Sequence, residues 1–145
     1  MNSPIVLWDW NGTLVDDAYL FVDIMNSYLL SANLPSISIE DYRKRFCFPI
    51  RKYYTRLGFS LSEDDFNALS VDFINNYKKV MFNPKLKENI KQSLFYLKKK
   101  GFAQYVLSAQ EQSLLKKSIH YYKLEGLFKQ VLGLNNNLAV SKINL

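Results

Sequence analysis

Apolar residues in this chain follow two rhythms, and the change between them divides it. Ile5, Val6, Leu7 and Trp8 form an unbroken apolar run, which predicts a strand buried on both faces, as in a parallel sheet. From Leu20 the spacing becomes helical: Leu20, Ile24, Tyr28 and Leu29 share one stripe, and Pro35 ends it by biasing Leu34 away from the helical region. Ser38 to Asp41 predicts a capped helix start carrying Tyr42, Arg43, Arg45 and Phe46. Pro49 suits the first turn of the next helix, which Gly58 closes. Ser62 to Asp65 repeats the capping pattern ahead of a long stripe of Phe66, Leu69, Phe73, Tyr77 and Val80. Residues 18–82 thus read as an all-helical unit with no strand.

Beyond Asn83-Pro84, the residues Leu86, Ile90, Leu94 and Leu97 predict another helix, ended by Lys98-Lys99-Lys100 and Gly101. Ala103 to Leu107 reads as a short strand stopped by Ser108, and Ser108 to Glu111 as the start of a helix carrying Leu114, Leu115, Ile119 and Tyr122. A strand is expected at Gln130 to Leu132 and a last helix from Ala139. This alternation predicts an α/β fold with a parallel, Rossmann-like sheet. Residues 1–17 and 83–145 would form that core, and the helical unit 18–82 would be inserted as a cap.

The first strand stops at Asp9, and Asn11-Gly12 then forces a tight turn, since both types tolerate positive φ. Asn-Gly between apolar stretches is also a hairpin signal, with Ile5 to Trp10 pairing back on Thr13 to Val15. The order of the later elements favours the strand-end reading. In a parallel sheet Asp9, Ser108 and Lys142 fall on one edge, where α/β sheets hold their ligands. A carboxylate nucleophile, a hydroxyl donor and an ammonium are what phosphoryl transfer through an aspartyl-phosphate needs. Ser108 opening a helix would add backbone N–H groups facing an anion, although it also reads as a plain helix cap. Asp16 and Asp17 suit a helix N-terminus.

Composition narrows the partners. Among 145 residues, 19 Lys and Arg against 13 Asp and Glu give +6, a balance that suits an anionic partner. A phosphate ester fits; no arginine-rich tract or zinc-ligand spacing supports nucleic acid. Cys47 is the single cysteine, so a reducing compartment is the default. No signal peptide is evident and no apolar run approaches the ~18 residues of a membrane helix, so a cytoplasmic protein without a membrane partner is expected. His120, the single histidine, reads as structural.

Asp9-Trp-Asn-Gly-Thr13-Leu-Val-Asp16 resembles the first motif of the haloacid dehalogenase superfamily, Asp-x-Asp-Gly-Thr-Leu-x-Asp. Ser108 after an apolar strand is similar to the second motif, and Lys142 in Ser-Lys-Ile to the third. The helical unit sits where phosphoglycolate-phosphatase-like members carry their cap. The resemblance implies a Mg²⁺-dependent phosphatase acting on a small phosphorylated metabolite. Asp9 would be nucleophile and Mg²⁺ ligand, and the Asn11 backbone carbonyl a second ligand. Ser108 and Lys142 would hold the phosphoryl oxygens. Gly12, Thr13 and Ala109 would bind substrate beside them, with Thr13 bracing the turn. Arg43, Arg45, Arg51 and Lys52 could meet an anionic group from the cap, of which Arg43 and Arg45 are carried as substrate-binding candidates; the plainer reading is surface charge.

Two departures from the family pattern shape the expectation. Asn11 stands where the family's phosphatases place a general acid, and an amide cannot shuttle a proton. That favours substrates with good leaving groups, such as acyl or aryl phosphates. The fourth motif, an acidic pair that completes the Mg²⁺ site, is expected beyond Lys142, and the sequence ends at Leu145. The first strand is then expected at an exposed edge, where it invites self-association. The competing reading is a catalytically degenerate domain that binds a phosphorylated ligand or a protein partner.

Overall fold

The structure, a computed structural model, describes residues 3–135. Three parallel strands form one sheet in the order β1–β2–β3: β1 is Ile5–Trp8, β2 is Ala103–Glu111 and β3 is Gln130–Leu134. Ile5 pairs with Ala103 and Trp8 with Val106, while Tyr105 pairs with Gln130 and Leu107 with Leu132. The parallel pairing of β1 with β2 excludes the Asn-Gly hairpin. Four helices lie between β1 and the rest of the sheet: α1 (Ala18–Ser31), α2 (Ile39–Arg45), α3 (Ile50–Arg56) and α4 (Glu63–Val80). Then α5 (Ile90–Lys99) leads into β2, and α6 (Gln112–Tyr121) follows it.

Two hydrophobic clusters account for most of the packing. Trp10, Leu14, Val15, Leu94, Val106 and Leu115 bury the inner face of the sheet under α5 and α6, each such side chain contributing ~2 kcal/mol when withdrawn from water. Val22, Met25, Leu29, Tyr54, Phe66 and Phe73 join the helices α1, α3 and α4 into a core of their own. A smaller cluster of Leu20, Tyr77, Met81 and Leu114 ties that helical unit to α6. The two capping motifs form as read: the Ser38 side chain accepts from the Asp41 N–H within a reciprocal box, and Ser62 accepts from the Asp65 N–H.

Three details differ from the sequence reading. β1 is not buried on both faces: it stands at the exposed edge that the family pattern led us to expect, paired only with β2 among the described residues, and Ile5 and Leu7 are 65% and 66% exposed. The helix expected from Leu86 starts at Ile90, because Leu86 bridges to Val15 and the Lys87 N–H donates to the Leu14 carbonyl. β2 does not stop at Ser108 but continues to Glu111 through a register irregularity after Leu107. Gly133 permits that course: a Cβ there would lie 2.6 Å from the Gln110 carbonyl oxygen and 2.9 Å from the Gln112 Cα. The helix expected from Ala139 lies outside the described residues.

Candidate active site

The site is assembled where β1 ends. Trp10 is almost fully buried, and its carbonyl accepts from the N–H groups of Thr13, Leu14 and Val15 at 3.2, 2.9 and 3.2 Å. This folds the chain back on itself directly after Asp9. Gly12 takes φ +72°, the left-handed region that glycine enters without cost. The Thr13 hydroxyl lies 3.4 Å from Asp9 Oδ2, a long contact that braces the turn.

Beneath the turn stands Asp17, which is 0% exposed. Its carboxylate accepts from the Gly12 N–H at 2.8 Å and from Asn11 Nδ2 at 2.6 Å. The Tyr77 hydroxyl, on α4, accepts from Asn11 Nδ2 at 3.1 Å and donates to Asp17 Oδ2 at 3.3 Å. Burial pushes the Asp17 carboxyl above its ordinary range, against the downward pull of these hydrogen bonds. The same burial, with the Asp17 charge nearby, raises the Tyr77 phenol. Asp17 stands at the helix N-terminus as read, but its side chain serves the preceding turn. It occupies the position before α1 but caps nothing with its side chain; the turn uses both of its oxygens. Asp16 points outward and pairs with Lys87.

Ser108 is 1% exposed and lies within β2, not at a helix start. Its Oγ accepts from the Gln110 N–H at 3.1 Å, which among the described residues leaves the O–H available to an anion. The first N–H groups of α6 are claimed by Glu111, which accepts from Ser113 and Leu114 at 2.9 and 3.1 Å. Burial works upward on this carboxyl, and the hydrogen bonds from Ser113 and Leu114 outweigh it, holding Glu111 below the usual range. A helix dipole aimed from Ser108 at an anion is thus replaced by a capping carboxylate.

Asp9, Asn11, Ser108 and Ala109 face one cavity of about 180 Å³ between the sheet edge and the helical unit. Rings from α1, α2, α3 and α4 make its far wall, among them Phe21, Tyr42, Tyr53 and Phe73. Gly12 and Thr13 are exposed and do not line it. Arg43 and Arg45 also lie outside its wall, on the exposed side of α2. Arg51 is engaged elsewhere, with Glu63 at 2.7 Å and the Leu61 carbonyl at 3.0 Å. Lys142 lies outside the described residues. His120 pairs with Glu125 on the surface, away from the cavity.

The donor chemistry for a hard cation is partial. Asp9 supplies a carboxylate and Asn11 a backbone carbonyl, whereas Asp17 is spent on the turn. No group of three or more His, Cys, Asp or Glu side chains that could hold a metal occurs among the described residues. Mg²⁺ accepts such a set, since it binds through one or two carboxylates and keeps waters and substrate phosphate oxygens.

Sequence reasoning did not find Asp17, Tyr77 or Gln110. The one available signal for Asp17 was a second acid immediately ahead of an apolar stripe, and it fits a helix start equally well.

A family model described as haloacid dehalogenase-like hydrolase matches residues 6–139. A predicted phosphoglycolate phosphatase from Haemophilus somnus 129PT superposes with a TM-score of 0.74 at 23% identity, over 93% of this chain and 65% of its own. A predicted phosphatase from Clostridium acetobutylicum gives 0.76 at 22% identity, over 97% and 64%. Protein Tyrosine Kinase A of Mycobacterium tuberculosis gives 0.75 at 19% identity, over 94% and 62%. The chain thus spans a little under two thirds of each of these neighbours. No curated protein matches it. Among the described residues no helix is long and apolar enough to cross a membrane. A parallel sheet with a turn-held Asp9 at its edge, matched over 6–139, places this chain in the haloacid dehalogenase-like hydrolase family.

Proposed function

We propose that this protein is a phosphatase that hydrolyses small phosphate monoesters through Asp9. The observation that carries the reading is that Asp9, just past the end of β1, and Ser108, within the adjacent parallel strand β2, line one cavity roofed by the helical unit. An Asp9 carboxylate oxygen attacks phosphorus, the bond from phosphorus to the leaving oxygen breaks, and that oxygen departs with the electron pair as an alkoxide or phenolate, which takes a proton from water. Water then attacks the phosphorus of the aspartyl-phosphate, releasing phosphate and restoring Asp9. The Ser108 O–H donates to a phosphoryl oxygen and orients it. The helical unit serves as the cap that covers this chemistry and excludes bulk water.

Mg²⁺ would be held by the Asp9 carboxylate and the Asn11 carbonyl, and when bound it offsets the negative charge shared by Asp9 and the phosphoryl group. Lys142 is proposed to supply a second positive charge. Asn11 limits the reaction: its amide N–H groups are committed to Asp17 and Tyr77 and carry no proton to the leaving group. Substrates whose alcohol leaves as a stable anion, such as aryl phosphates, are therefore favoured. The testing experiment is turnover of a phenyl phosphate with and without Mg²⁺ in the parent chain, in Asp9→Asn and in Ser108→Ala. Loss in Asp9→Asn and a fall of ~10²-fold in Ser108→Ala support the reading; equal rates in all three chains overturn it. A chain that binds phosphate esters without turning them over would be the non-enzymatic relative.

A further inference from the structure

The peptide that joins Asn11 to Gly12 has a set orientation. It is trans, and its Gly12 N–H donates to Asp17 Oδ1 at 2.8 Å. In a planar trans peptide the carbonyl points the opposite way from the N–H. The Asn11 carbonyl, one of the two donors proposed for Mg²⁺, is therefore turned away from Asp17. Its direction depends on where the Asp17 carboxylate is held.

That carboxylate is held through its other oxygen. Asn11 Nδ2 donates to Asp17 Oδ2 at 2.6 Å, and the Tyr77 hydroxyl donates to the same oxygen at 3.3 Å. The hydroxyl also accepts from Asn11 Nδ2 at 3.1 Å, so it closes a ring of hydrogen bonds through both residues. Asn11 and Asp17 belong to the turn after β1. Tyr77 comes from α4, near the far end of the helical unit's longest helix.

Packing fixes the Tyr77 ring. It is 3% exposed and stacks on Phe21 of α1, with 5.0 Å between centroids and 20° between planes. It also joins Leu20, Met81 and Leu114 in the cluster that ties the helical unit to α6. A buried ring in such a setting cannot swing aside without opening a void. The hydroxyl goes where α4 goes.

We infer that Tyr77 is a positioning residue: its hydroxyl, carried by the helical unit, fixes Asp17 and through it the Asn11 carbonyl, so that metal binding at the Asp9 turn and the seating of α4 are coupled. This rests on the phosphatase reading for the Mg²⁺ site at Asp9 and Asn11. Groups that orient a metal's ligands without touching the metal govern its affinity by roughly 10–100-fold. The coupling is reciprocal: if a seated α4 favours the metal, the metal favours a seated α4 by the same factor.

The probe is Mn²⁺, whose free form is counted by electron paramagnetic resonance, titrated into the full chain. Tyr77→Phe keeps the ring and removes the hydroxyl. Tyr28→Phe is the control for stability, since it removes a hydroxyl that bonds Asp72 at 2.6 Å inside the helical unit. Asp9→Asn locates the bound ion. The expected result is a loss of Mn²⁺ affinity of about tenfold in Tyr77→Phe, parental affinity in Tyr28→Phe and no binding in Asp9→Asn. Hydrogen exchange gives a second readout: saturating Mn²⁺ should slow the amides of α4 around Tyr77 about tenfold in the parent, and leave them unchanged in Tyr77→Phe.

A lower melting midpoint in Tyr77→Phe with parental Mn²⁺ affinity would make the hydroxyl merely structural and overturn the inference. Equal losses of affinity in Tyr28→Phe and Tyr77→Phe would do the same, as would parental binding by Asp9→Asn or no binding by the parent. The exchange measurement on the parent needs no variant: α4 amides indifferent to Mn²⁺ overturn the coupling even if Tyr77→Phe fails to fold. Turnover of phenyl phosphate is measured separately. Metal binding coupled to Tyr77 without turnover would contradict the phosphatase reading and leave the positioning role standing; turnover with parental affinity in Tyr77→Phe would do the reverse.

Discussion

Asn11 Nδ2 stands 2.6 Å from Asp17 Oδ2, and this contact gives position 11 its amide for a structural reason. The other Asp17 oxygen is held by the Gly12 N–H. A carboxylate at position 11 would face a second, buried carboxylate at hydrogen-bond distance, and two such groups cannot both ionise. Asn11→Asp alone is therefore expected to cost about 3 kcal/mol near neutral pH, as when a buried charge is left uncompensated. Urea unfolding checks this, with the loss shrinking in acid. The exchange Asn11→Asp with Asp17→Asn keeps both hydrogen bonds, with the amide now donating from position 17 and still accepting from Gly12. It should recover the stability and place an acid beside the reacting centre. Turnover of alkyl phosphates should then rise by ~10²-fold or more.

Asp17 also sets a pH dependence of its own. Its folded pKa is raised by burial, so the native state binds its proton more tightly than the unfolded chain does. The stability it contributes is fully present below the ordinary carboxylate value of ~3.9 and is lost as pH rises through the raised folded value. Glu111, with a lowered pKa, acts in the opposite sense: its contribution is present above the unfolded value and is lost as pH falls. Comparing the parent with Asp17→Asn by chemical denaturation isolates the first effect. The stability difference between parent and variant should decline as pH climbs from about 4; a difference independent of pH would contradict the burial argument.

Gly133 holds β3 against the end of β2. Any Cβ at this position meets backbone atoms of Gln110 and Gln112 inside van der Waals contact, and backbone cannot step aside as a flexible side chain does. Gly133→Ala should destabilise the fold by about 1–3 kcal/mol. Because Gln110 lines the cavity, the same substitution should weaken ligand binding. Parallel melts and phosphonate titrations check the two effects.

The exposed edge carries an expectation about assembly. Ile5 and Leu7 present apolar side chains on a strand whose second edge has no partner among the described residues, a template for pairing with another strand. We propose that a second copy of this chain occupies it. Sedimentation velocity should show a concentration-dependent dimer, shifted to monomer by Leu7→Lys. Monomer at every concentration would contradict the proposal.

The helical unit was legible because capping and spacing are local. Ser38, Ser62 and the stripes behind them lie within a few turns of the contacts they make. The parallel sheet followed from the alternation of elements, and Asp9 from its place at a strand end; Ser108 was assigned to the right strand, but that strand runs on to Glu111. What the sequence hid depends on contacts between distant residues. Asp17 reads only as an acid suited to a helix N-terminus until Tyr77, sixty positions away, closes over it. Ser108 reads as a helix start because nothing local announces that Glu111 caps α6 instead. The apolar run of β1 by itself did not reveal the edge, since such a run looks the same in the interior and at the margin of a sheet; the exposed edge was expected only from the family pattern.

The account turns on covalent chemistry at one side chain, and the direct measurement is mass spectrometry of the chain quenched in acid during turnover of a phenyl phosphate with Mg²⁺. Peptides spanning β1 and the following turn should carry one phosphoryl group at Asp9, and borohydride treatment should convert that residue to homoserine. Both signals should vanish in Asp9→Asn. Turnover without any label at Asp9, or label on another residue, would contradict Asp9 as the nucleophile.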